Sequence, residues 1–227
     1  MDREIGRIAG LWRYPVKSMA AEPLGEILVS WHGFSGDRRW AFIRDGMVRS
    51  GFSWLTIRQR NDMWHYQPYL VDPARPDTSM VLVRTPSGEV YDVTDPVLAA
   101  ELGSGVRVMK QDRGIFDAMP LSVITTRSVG CHNVQRFRPN LLVDTDLAEE
   151  DFLGHELCVG DVRIRVDRRD ERCVIVNVDP VTARRDPSIL RTIAREHDMH
   201  LGVYASVVQP GRIRLGDLVR CGQQVGH

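Results

Sequence analysis

A cysteine, Cys173, sits in "ERCVIVNVDP" (171–180), after a charged run and at the start of an apolar stretch closed by Asp179-Pro180. Through its thiolate, such a residue can act as a nucleophile, a soft metal ligand or a carrier of sulfur. Three further segments set a basic residue among turn-forming ones: "YPVKSM" (14–19), "GDRRW" (36–40) and "RFRPN" (136–140). At a tight turn a guanidinium can grip an oxyanion with two bonds, and an ammonium acts as a point charge. Taken singly each segment also has a plain reading. Lys17-Ser18 can end a strand in solvent, Arg38-Arg39 can follow a surface turn, and cysteine is among the residues most often simply buried.

Other chemistries are disfavoured. The four cysteines, Cys131, Cys158, Cys173 and Cys221, form no CxxC pair, and the seven histidines form no HExxH pattern. They read as reduced cytosolic thiols and structural imidazoles, with "HDMH" (197–200) marking a helix exit. Thirty Lys and Arg balance thirty Asp and Glu. That argues against a nucleic-acid partner, since nonspecific affinity comes from phosphate neutralisation. A neutral chain with clustered arginines still suits one small anion in a pocket. No apolar run reaches the ~20 residues that span a bilayer, and the start lacks a signal-peptide pattern, so the expected location is cytoplasmic, with no membrane partner.

The elements that must position these residues are mostly strands. Residues 4–16, 25–31 and 38–44 are apolar, β-branched runs separated by Gly, Pro and Asp. "SMVLVRTPSGEVYDV" (79–93) predicts a hairpin about Pro86-Ser87-Gly88, and "TDPVLAAELG" a short helix. In the second half "PLSVITT" (120–126) and "RPNLLVD" (138–144) predict strands around a weak helix in "RSVGCHNVQRF", and 155–168 predicts two strand arms. The run "DRRDER" (167–172) reads as a solvated loop and 173–179 as a strand. "DPSILRTIAREHD" (186–198) is the clearest helix, capped by Asp186 with Pro187 in its first turn. The chain's end predicts a strand pair turning at Gln209-Pro210-Gly211. The fold class expected is α+β, mainly β and barrel-like, with a few helices.

In this order the four segments resemble the MOSC proteins, named after the C-terminal domain of molybdenum cofactor sulfurase. The branch they are most similar to is that of the mitochondrial amidoxime-reducing components and their bacterial relatives. "GRIAGLWRYPVKSMAAEPLGE" and "GFSGDRRWAFI" match the family's N-terminal β-barrel domain; "NVQRFRPNLLVD", "RCVIVNVDPVTARRDPSILR" and "GVYASVVQPGRIRLGDLV" match the MOSC domain. The resemblance implies an N-terminal β-barrel domain over 1–112 and a MOSC β-barrel over 113–227, with strands that can be shared between them. It also implies a molybdenum cofactor, with Cys173 as the metal's thiolate ligand beside the cationic Arg172. Lys17, Ser18, Arg38 and Arg138 match positions that hold the cofactor's phosphate, and Asn140 one that contacts the pterin amide. Thr125, Thr126 and Ser128 would add hydroxyl or backbone contacts at a helix start. Relatives usually carry Thr-Thr where this chain has Val176-Asn177, which bears on the substrate face.

The activity so implied is reduction of N-hydroxylated compounds such as amidoximes, hydroxylamines and N-oxides. Some bacterial relatives append a ferredoxin-like domain; here the chain ends in "CGQQVGH". The expected electron source is therefore a separate protein, such as a ferredoxin, a cytochrome b5-like protein or a flavin reductase. The alternative is a sulfur carrier or sulfurtransferase with a persulfide on Cys173, and a third is a cofactor carrier without turnover.

Overall fold

The structure, a computed structural model, describes residues 3–45 and 53–224. Its first part contains β1 (Arg3–Arg13), β2 (Glu22–Pro23), β3 (Glu26–Ser30), β4 (Gly33–Phe34) and β5 (Trp40–Arg44). The hairpin β6 (Gln67–Leu70), β7 (Val81–Arg84) and β8 (Val90–Asp92) follows, then helix α1 (Pro96–Leu102) and β9 (Val106–Lys110). The second part runs β10 (Leu121–Thr125), α2 (Thr126–Val129), β11 (Leu141–Asp144), β12 (His155–Val159) and β13 (Val162–Glu171). Helix α3 (Pro187–His197), β14 (His200–Gln209), β15 (Gly211–Arg214) and β16 (Leu218–Gln224) complete it.

Seven strands close a barrel in the order β11-β10-β14-β13-β12-β16-β1, with β1 pairing back onto β11. All its pairings are antiparallel except β10 with β11. Inward positions carry Val, Ile and Leu at a period of two, as Val162, Ile164 and Val166 do between outward Arg163 and Arg165. A second core lies under β5–β9 and β6–β7–β8 and includes Phe42, Ile57, Met63 and Leu98. A third, small one joins α3 to the barrel through Val176, Ile193 and Leu201. Strands from both sides of residue 112 share sheets: β1 lies in the barrel with the later strands, and β15 pairs with β3. Among the described residues no helix is long and apolar enough to cross a membrane.

The local signals hold. Asp95 caps α1 and Asp186 caps α3, each followed by proline, and the hairpin turns at 85–89. Four expectations change. Residues 173–179 are not a strand: Val174–Asn177 form a 3-10 turn. The run 167–172 is not a solvated loop but mostly the end of β13, where register shifts turn Asp170 inward. The helix expected over 127–137 breaks at Gly130, whose φ is +54°, leaving α2 and a separate 3-10 turn, Val134–Phe137. Around Pro210 there is no hairpin, because β14 continues the barrel while β15 leaves it for β3.

A buried polar node joins the two parts. Asp37, fully buried, accepts from the Tyr14 amide (2.6 Å), Arg38 Nη1 (2.7 Å) and Asn140 Nδ2 (3.1 Å). Asn140 Oδ1 accepts from Arg38 Nη1 and from the Ser122 amide, both at 3.1 Å, and its Nδ2 also faces the Trp12 carbonyl (3.2 Å). Arg38 Nη2 donates to the Arg138 carbonyl (3.0 Å). Replacing Asn140 by Ala leaves several of these groups short of partners in a dry interior. The expected loss is about 2–4 kcal/mol in urea unfolding; a loss below about 0.5 kcal/mol would remove the node from its structural role.

Candidate functional site

A cavity of about 890 Å³ opens where the barrel meets the second core, and residues from both parts line it. Lys17, Ser18, Arg38, Arg138 and Cys173 are all on its wall. Three of them have left-handed backbones: Ser18 (φ +66°), Arg38 (φ +44°) and Arg138 (φ +53°). Six described non-glycine residues have positive φ, so half of them sit on this one wall. Such conformations cost a non-glycine residue about 1–2 kcal/mol, and they persist where surroundings over-determine them. Here turns throw basic side chains inward. Lys17 follows β1 at a turn tied to β5 by its amide on the Trp40 carbonyl (2.8 Å), and Arg138 ends the 134–137 turn.

The cations differ in how they are compensated. Lys17 Nζ donates to the Phe116 carbonyl (2.6 Å), and burial pushes its ammonium below the usual lysine range. Arg38 pairs with Asp37 and, through Nε, with Asp117 (2.9 Å). Burial alone would raise the Asp117 carboxyl, but Arg38 and Lys17 outweigh it and hold it below the ordinary range. Among the described residues Arg138 has no such partner. Its guanidinium lies between the rings of Tyr14 (4.3 Å) and Trp64 (4.7 Å), and both Nη atoms are buried without an acceptor. Burial pushes it down to about 10. A desolvated cation with unused donors has the chemistry to receive an oxyanion.

Cys173 is half-buried and stands at the start of the 174–177 turn, its carbonyl accepting from the Val176 amide (3.1 Å). Arg172, expected beside the thiol, also holds the surrounding backbone. Its guanidinium donates to the carbonyls of Leu201 (2.6 Å) and Phe137 (2.8 Å) and faces Asp170 at 3.0 Å. Asp170, Ser122 and Tyr204 form a polar floor that sequence reading missed. Ser122 Oγ and the Tyr204 hydroxyl both hydrogen-bond the buried Asp170 carboxylate. Burial raises both Asp170 and Tyr204, and Arg172 pulls both back. Arg136 and Asp117 were missed as well. Asp170 sits in a charged run whose facing the bulged end of β13 decides, and Ser122 and Tyr204 sit in apolar strands whose composition does not mark them.

Four expected residues are not on the wall. Asn140 is fully buried behind it with both ends of its amide engaged in the node. Thr125 and Ser128 instead secure buried Glu149, which accepts from the Thr125 amide (2.6 Å) and Ser128 Oγ (2.5 Å) and so fills the start of α2. Thr126 Oγ1 is tied to Asp144 at 3.0 Å. Val176 lines the cavity, but Asn177 points away and accepts from the Leu190 amide (2.9 Å) in α3. Among the described residues no cluster of three or more His, Cys, Asp or Glu could hold a metal ion.

The models of two domains match in succession: the MOSC N-terminal beta barrel domain over residues 5–117 and the MOSC domain over 124–220. The chain belongs to the MOSC family. The molybdenum cofactor sulfurase of Drosophila grimshawi is 27% identical over 263 residues, covering 93% of this MOSC chain and 33% of the relative. That of Drosophila ananassae is 34% identical over 95 residues, covering 40% of this chain and 12% of the relative. The MOSC chain thus spans at most about a third of the length of these curated relatives. In fold it is similar to the YUAD protein from Bacillus subtilis, with a TM-score of 0.50 and 11% identity over 97% of this chain and 98% of that one.

Arg138→Met tests the uncompensated cation. Methionine keeps much of the stem between the two rings and removes a buried charge. The ligand-free protein should become more stable by about 1–2 kcal/mol while losing any thermal stabilisation by millimolar phosphate. A variant less stable than its parent would mean that Arg138 is a packing residue.

Proposed function

We propose that this cavity holds the molybdenum cofactor and that the chain reduces N-hydroxylated compounds. The observation that carries the proposal is an unpaired, buried Arg138 on the same cavity wall as the half-buried thiol of Cys173. The donor set fits the group: cations for a phosphate at one end and a soft thiolate for the metal at the other. Arg138, Lys17 and Arg38 would hold the phosphate, with Ser18 beside them, and Cys173 would bind the metal. When bound, the cofactor supplies two-electron chemistry at the substrate's oxygen. The overall change, R–NHOH + 2 e⁻ + 2 H⁺ → R–NH2 + H2O, requires two protons and a reductant. Electrons would come from a separate ferredoxin, cytochrome b5-like protein or flavin reductase. The polar floor of Ser122, Asp170 and Tyr204 would orient the substrate's N–O group by hydrogen bonds. Trp54, Ile115 and Val176 would exclude water around its apolar body.

The relatives' name favours a second reading, in which Cys173 carries a persulfide and passes sulfur on. A single preparation separates the two. Protein purified from a host that makes the cofactor should contain about one molybdenum per chain, and Cys173→Ala should lose it while retaining the fold. Thiocyanate released by cyanide from a molybdenum-free protein would instead establish the sulfur carrier.

A further inference from the structure

We propose that Arg136 is a positioning residue that sets where Cys173 stands relative to the anion-binding end of the cavity. Arg136 is 8% exposed, lines the cavity and belongs to the Val134–Phe137 turn that ends in Arg138. Its Nη1 donates to the Val176 carbonyl (2.9 Å), at the end of the turn that Cys173 begins. Such terminal carbonyls have no partner within their own turn and need one from outside. Its Nη2 donates to Asp179 Oδ2 (2.9 Å). The other oxygen of Asp179 accepts from the amides of Val181 (3.0 Å) and Thr182 (2.9 Å) and from Thr182 Oγ1 (3.1 Å). One guanidinium therefore holds both the turn bearing the cysteine and the loop after it.

On the other side of Cys173, Arg172 donates to the Phe137 carbonyl of the same 134–137 turn. The thiol itself makes no hydrogen bond among the described residues, so its place is set by the backbone between these two arginines. Because Arg138 extends directly from that turn, the oxyanion end and the sulfur end of the cavity share one rigid anchor. A ligand that must touch both meets them at a fixed separation, which is worth more than either contact alone.

The inference rests on Cys173 being the reactive thiol, but its test needs no metal. Alkylation of each cysteine by iodoacetamide is followed by peptide mass spectrometry in the cofactor-free protein. A pH of about 9.5 is used, above the ordinary thiol range, so that access rather than charge sets the rate. Arg136→Met should raise the Cys173 rate at least about fivefold and leave exposed Cys131 unchanged. Arg136→Lys, which can still reach one acceptor, should return it to within about twofold of the parent. A folded Arg136→Met protein with an unchanged Cys173 rate, or equal rates in the Met and Lys variants, overturns the proposal. Should Arg136→Met fail to fold, Asp179→Asn weakens one of the two bonds; a rise of about twofold supports the clamp and none overturns it. Absence of molybdenum would end the cofactor reading and leave this result standing, whereas unchanged alkylation would end only this one.

Discussion

The buried contact of Asp37 with Arg38 and Asn140 is the constraint on which the rest depends. A carboxylate and a guanidinium removed from water lose several kcal/mol of hydration each, and only near-complete hydrogen bonding offsets this. The node meets that condition by drawing donors from Tyr14, Arg38 and Asn140 and acceptors from both parts of the chain. Its geometry also explains the strained backbones. Arg38 is left-handed where its amide meets the Tyr14 carbonyl (2.7 Å), and its Nη2 holds the carbonyl of left-handed Arg138. Two conformations unfavourable by themselves are thus imposed by one saturated cluster, and both direct a cation into the cavity.

The cavity's field follows from the same arrangement. Seven Lys and Arg against three carboxylates line it, in a chain whose thirty basic and thirty acidic residues cancel. Part of that charge is locally compensated, since Arg136, Arg172, Arg38 and Lys110 each face an acidic partner. Arg138 has aromatic faces instead, and cation–π attraction of about 2 kcal/mol replaces only part of the hydration of a guanidinium. The remaining demand for negative charge is therefore concentrated at one point, beside the Lys17–Arg38–Asp117 cluster. That concentration sets the cavity apart from a merely basic surface.

What could be read in the sequence was what local chemistry decides. Proline after an aspartate cap marks α1 and α3, and a Pro-Ser-Gly turn marks the β7–β8 hairpin, because each signal lies within a few residues of its effect. The stretch 173–179 misled for a physical reason. Its apolar residues serve different cores: Val176 packs with α3, Val178 joins the core under β5–β9, and Val174 is 42% exposed. A short turn at the junction of two cores has the composition of a strand without its period. The site divided along the same line. Lys17, Ser18, Arg38, Arg138 and Cys173 stand in motifs that keep them at turns, whereas Asp117, Asp170 and Tyr204 reach the cavity through a long loop, a bulge and strand facing. Charge runs do not encode facing.

The pair Val176-Asn177, where the family resemblance leads one to expect Thr-Thr, divides in the same way. Asn177 is 8% exposed, and its side-chain oxygen accepts from the Leu190 amide while its carbonyl accepts from the Asp186 amide (2.7 Å). Asparagine reaches a helix amide that a threonine hydroxyl, one bond shorter, would reach only by moving the turn. Its departure from the pattern is therefore tied to seating α3. Val176 is the residue of the pair on the cavity wall, and it offers methyl groups where a threonine would offer a hydroxyl. The nearby polar groups on the wall are those of the Ser122–Asp170–Tyr204 floor. Only Val176 of the pair faces the cavity, and it makes that side of the wall apolar.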